Sequence, residues 1–195
     1  MPEVKINVKN VHLAEITESP EGTITPSTPE LVVGAMEIGK VPQISSGQLY
    51  GDGKIQKETS KKIAYQITVS LNKLPTKWRR YMEGVKVVNG VESGTSEDEP
   101  NPFAIGWEVE KTGGKKELFW FVYCQATPIE ETNRQSEENV NYSTDTIVIS
   151  ALEHDSLGRF YTMIDTEDEE ISDEMVQNFF KKVQTTDTIS APTAG

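Results

Sequence analysis

The chain is poor in the side chains that usually do chemistry. It has one cysteine and two histidines in 195 residues. Cys124 has no partner for a disulfide within the chain, and its apolar setting reads as a buried, reduced thiol. Neither His12 nor His154 has a second histidine or a cysteine at ligand spacing, so no metal site and no cofactor is expected. Positive charge is scarce too. Nineteen Lys and Arg stand against 31 Asp and Glu, a formal net charge of −12. A nucleic-acid clamp needs a basic stripe to neutralise phosphates, and this balance argues against one. It is compatible with lying near DNA, because a surface that repels phosphate is what a conduit would need. Long apolar runs are missing as well. No stretch approaches the roughly eighteen apolar residues of a spanning helix, and Met1-Pro2-Glu3-Val4-Lys5 has no apolar signal core. Synthesis and use without the secretory route are therefore expected.

What the chain does have is strand pattern. Apolar content of 35% is lean but too high for a wholly disordered chain, and the length supports one good core. Ile63, Tyr65, Ile67, Val69 and Leu71 alternate with polar neighbours over ten residues, the period of a strand with one buried face. Phe103–Glu110 and Glu117–Ala126, joined by Lys111-Thr112-Gly113-Gly114-Lys115, predict an antiparallel hairpin. Thr144–Leu152 and Phe160–Ile164 predict a second. Leu118 to Cys124 is apolar at every position, which requires cover on both faces: a sandwich core on one side, a helix or neighbouring subunit on the other. Leu31–Val41 is expected as a strand, and Ser45–Ser60 as a connection centred on the turn signal Tyr50-Gly51-Asp52-Gly53.

Two helices are predicted. Leu74–Met82 has Pro75 at its start and Gly84 as a left-handed cap. A C-terminal helix begins at Ser172, with Asp173 and Glu174 in its first turn and Lys181 and Lys182 in its last. Trp78, Trp107, Trp120 and Phe179 fall on inward faces and are expected in the core. Residues 1–30, with Pro20, Pro26 and Pro29, read as a partly flexible arm before a β domain over 31–184. Residues 185–195 read as a flexible tail.

Catalytic readings find little support. His154-Asp155-Ser156 are adjacent in a turn and do not converge on one substrate atom. The acidic run Asp165–Glu170 lacks the central glycine of a calcium loop and precedes a helix N-terminus, where acids are favoured. The glycines of Tyr50-Gly51-Asp52-Gly53 lack the strand-to-helix setting of a phosphate loop. Lys54 and Lys57 instead suit an acidic neighbour, and with Tyr50, Gly51, Asp52 and Gly53 they are the expected inter-subunit contacts. The chain is expected not to be an enzyme.

Several segments in succession carry a resemblance. Leu31-Val32-Val33 leads through Pro42-Gln43-Ile44 into Leu49-Tyr50-Gly51-Asp52-Gly53, then Glu58-Thr59-Ser60, the alternating strand to Leu71 and Leu74-Pro75. Pro102-Phe103-Ala104-Ile105-Gly106-Trp107, Trp120-Phe121-Val122-Tyr123, Leu157-Gly158-Arg159-Phe160-Tyr161 and the stretch from Asp165 to Phe180 follow. Over roughly residues 30 to 183 the chain resembles the major tail proteins of long-tailed, non-contractile bacteriophages, the phi13-type group. The resemblance implies a mainly-β, antiparallel sandwich or barrel-like tail-tube fold with a short mid-chain helix and a C-terminal flanking helix. It implies homo-hexameric rings that stack into a tube around a tape-measure protein. Terminator and distal tail proteins would close the tube's ends, and DNA would pass through the lumen without specific binding. The implied location is the virion tail, after assembly in the host cytoplasm without a membrane. Segment Gly47–Ser60 and the terminal arms would bridge subunits. The competing expectation is a non-catalytic β-sandwich that binds carbohydrate or a receptor, for which exposed tryptophans would be the sign.

Overall fold

Tyr65, Ile67, Val69 and Leu71 disappear from solvent while Gln66 stays exposed, as their alternation requires. Ile63 falls at a shift of register between Lys62 and Ala64, where the alternation breaks, and it is exposed. The computed structural model describes residues 3–51, 54–129 and 144–185. In chain order the elements are β1 (Lys5–Glu18), β2 (Ile24–Pro26), β3 (Glu30–Val32), β4 (Ala35–Gly51), β5 (Lys54–Leu71), α1 (Thr76–Glu83), β6 (Lys86–Val88), β7 (Val91–Ser93), β8 (Phe103–Lys111), β9 (Lys116–Ala126), β10 (Asp145–Ala151), β11 (Tyr161–Asp165) and α2 (Asp173–Asn178).

Nine of the strands form one sheet, with hydrogen-bonded neighbours in the order β2-β1-β8-β9-β10-β5-β4; β3 also pairs with β1 and β11 with β9. β6 and β7 form a separate two-stranded sheet. The expected sandwich or barrel-like tail-tube fold is therefore corrected: both sheets are open. No ladder joins β4 back to β1 among the described residues. The reason lies along β1. Its side away from β8 is taken by β3 at Val11–Leu13 and by β2 at Ile16–Glu18. Asn10, at φ 53°, and a register shift between Lys9 and His12 interrupt it between the two halves. A groove of about 410 Å³ opens where Lys5 to Val8 of β1 face Met36 to Lys40 of β4.

The β8–β9 hairpin forms as predicted, around a tight turn at Thr112–Gly114 in which Gly113 and Gly114 take positive φ. The second predicted hairpin does not. β11 pairs with β9 at Glu117 to Phe121, and β10 pairs with β9 at Cys124 to Ala126, so the two share one margin of β9 instead of pairing with each other. The apolar run of β9 gets cover on both faces without a second sheet. Phe119, Phe121 and Cys124 join Trp107, Tyr65 and Ile67 in a core that α1 closes with Trp78 and Met82. Leu118, Trp120 and Val122 meet Phe179 and Val183 on the opposite face. Trp78, Trp107, Trp120 and Phe179 are all buried, and the Trp120 indole N–H donates to the Phe179 carbonyl at 2.9 Å.

α1 ends as read: Gly84 sits at φ 69° in the left-handed region and its N–H closes the last turn. α2 starts at the expected cap, where Ser172 Oγ accepts from the Met175 N–H, but it stops at Asn178, before Lys181 and Lys182. Lys5–Glu18, within the stretch expected as an arm, is β1. Residues 186–195 lie outside the described residues.

Candidate assembly surface

β4 and β5 are the longest strands, at 17 and 18 residues. They pair from Ala35↔Leu71 to Gly51↔Lys54. β10 supports β5 only from Tyr65 to Leu71. Beyond that point the two strands continue as a ribbon with no third strand among the described residues, and Ile44 to Gly47 and Glu58 to Ile63 are exposed. At about 3.3 Å per residue the stretch from Ile44 to Gly51 projects roughly 25 Å. Tyr50, Gly51, Lys54 and Lys57 lie in the strand backbone at its end, where Leu49 pairs with Lys57, Tyr50 with Ile55 and Gly51 with Lys54. Asp52 and Gly53, at the turn, lie outside the described residues.

Short of this ribbon, register makes the composition of the sheet's outward face plain. Gln125, Ser150, Gln66 and Val41 form one cross-strand row. Val148, Thr68 and Gly39 form the next, beside Thr127, whose N–H donates to the Val148 carbonyl. Thr146, Ser70 and Glu37 form a third. These rows hold a single charged residue, Glu37, in a chain where 26% of residues are charged. The partly charge-free face is a property of fold register that no local motif announces.

Charge is concentrated elsewhere. Lys111 is buried at the turn end of β8, and its ammonium lies 2.6 Å from Asp165, 2.6 Å from Glu167 and 3.2 Å from Glu117; Lys5 reaches Glu117 at 2.6 Å. Burial alone would raise the Glu117 carboxyl, but hydrogen bonds from Lys5 and Lys111 hold it below the usual carboxylate range. Asp165 is depressed in the same way, with Lys111 outweighing burial. Burial opposes the charge of Lys111, yet its carboxylates raise the ammonium above its ordinary value. The cluster ties together the ends of β1, β8, β9 and β11.

The turn read as a possible acid–base trio contains a partial relay with a different third member. Ser156 Oγ is 2.8 Å from His154 Nδ1, and His154 Nε2 is 3.5 Å from Glu18 of β1. Asp155 takes no part in it. Leu157 and Gly158 both donate their amides to the His154 carbonyl, so neither is left to stabilise an oxyanion. Cys124 is buried, which pushes its thiol up and keeps it unreactive. No group of three or more His, Cys, Asp or Glu is placed to hold a metal among the described residues, and none of their helices is long and apolar enough to cross a membrane.

No protein-family model matches the chain, and no curated protein matches it.

Proposed function

We propose that this chain is a structural subunit that closes into rings and stacks into a hollow tube, the tail tube of a long-tailed bacteriophage. The observation that carries the reading is the β4–β5 ribbon. A two-stranded ribbon without a packed face is marginal in water, and an open strand margin invites pairing with other chains. Both liabilities end when neighbouring copies cover the ribbon and the free side of β4. Closed rotational symmetry supplies cover for the ribbon within a ring, and head-to-tail stacking of rings, which propagates without limit, supplies it for the free side of β4. A tape-measure protein in the bore, and terminator and distal tail proteins at the ends, would then set the length.

The charge distribution supports a conduit. A net charge of −12 discourages adhesion of DNA, and the nearly charge-free face offers phosphates no partner. The carbohydrate-binding alternative has no observation in its favour, since Trp78, Trp107 and Trp120 are all buried. Negative-stain electron microscopy of the purified protein tests the proposal. Six-fold rings or tubes are expected at high protein concentration. Isolated compact particles at every concentration would overturn it.

A further inference from the structure

Among the apolar side chains that the described residues leave exposed, two groups stand out. One is the tip of the β6–β7 hairpin, where Val88 and Val91 are 68% and 65% exposed beside Val87. The other is the groove between β1 and β4, with Ile6 and Met36 on its rim at 63% and 56% exposed, and Val8, Ile38, Trp107 and Phe119 deeper in its lining. Burying such side chains is worth about 1.5–3 kcal/mol each.

The patches sit at opposite ends of β1. The hairpin follows α1, which is pinned beside Ile16 by the Tyr81 hydroxyl and holds Glu92 of β7 through Arg79 and Arg80. The groove begins at Lys5 to Val8. From Val8 to Ile16 a strand advances roughly 26 Å, at about 3.3 Å per residue. Two surfaces so placed cannot meet within one chain, and a contact between them on different chains is heterologous, repeating along β1.

Their charges match as well. Lys40 holds its ammonium 3.8 Å above the Phe119 ring and has no carboxylate partner among the described residues. Burial, with Lys5 adding to it, holds that ammonium below its ordinary value, which an incoming carboxylate would relieve. Glu97 and Glu99, beyond β7, are exposed and make no side-chain ion pair among the described residues.

We propose that the Val88–Val91 hairpin tip of one copy seats in the β1–β4 groove of the next, with Glu97 or Glu99 brought to Lys40, and that this head-to-tail contact joins successive rings. The inference rests on the self-assembly reading and names its stacking contact.

Paired cysteines test it in the full chain. Val88→Cys with Met36→Cys, oxidised under assembly conditions, should give a ladder of linked chains on denaturing electrophoresis, while Val88→Cys alone should not. The buried Cys124 contributes no background. Val88→Lys, at an exposed site that leaves the unfolding midpoint unchanged, should raise the concentration needed for stacking by about tenfold or more, because it brings a further ammonium against Lys5 and Lys40 of the groove. Tubes that form without a ladder, or that tolerate Val88→Lys, overturn this contact and leave the tube reading standing. A chain that stays monomeric in every condition overturns both.

Discussion

Gly106 has no room for a side chain. A Cβ there would lie 2.8 Å from Cδ2 and Cε3 of Trp120 and 2.9 Å from the Phe119 carbonyl oxygen, all held by the core. Gly106→Ala is expected to cost about 1–3 kcal/mol as overpacking, read from the midpoint of urea unfolding. Phe179→Ala should cost more, about 3–5 kcal/mol, because the ring is fully buried against the outer face of β9. A shift under 1 kcal/mol would mean that the 179–184 segment is not the cover of that face. At this scale the sequence was readable where the chemistry is local. The Ser172 cap and the Gly84 stop depend on neighbours within four residues, and both are where the residues put them. Lys111 was read as part of a tight connection, and its role was hidden because Asp165 and Glu167 lie more than fifty residues away.

Elements show the same division between near and far. Alternation tells which side of a strand is buried for β5 from Tyr65 to Leu71 and for β10, but β8, buried on both sides at Phe103 to Glu108, escapes it. It says nothing about which strand lies alongside, and that is why β10 and β11 were expected as a hairpin and the sheet as a sandwich. The Lys111 cluster gives the arrangement an acid limit. Asp165 and Glu117 have depressed carboxyls, so their contribution is complete above the ordinary carboxylate range and is lost as pH falls below about 4. Lys111, raised, stays charged throughout that window. Lys111→Met should cost roughly 1.5–3 kcal/mol at neutral pH and flatten the fall in stability below pH 4, followed by denaturant titrations across pH. Hydrogen exchange addresses the ribbon: amides of Ile44 to Gly47 and Glu58 to Lys62 should exchange far faster than those of β8 and β9 in the free chain, and slow on assembly.

For the whole molecule, self-repulsion is the main obstacle to association. With a net charge of −12, assembly should be favoured by salt. Moving from about 0.01 M to 0.15 M shortens the screening length from about 30 Å to about 8 Å. Light scattering should show a lower threshold for tube growth at the higher ionic strength, and the opposite trend would show that attraction between unlike charges dominates the contacts.

β1 carries one more consequence. Lys9 pairs with Glu108, a separation of roughly a hundred residues. At about 5–20 residues per second, the ribosome needs about 5–20 s to deliver that partner after β1 emerges. During that interval the nascent copies on one polysome each carry an unmatched strand. Lys5 and Lys9 place ammonium groups along it, the kind of charge that discourages premature pairing between nascent chains.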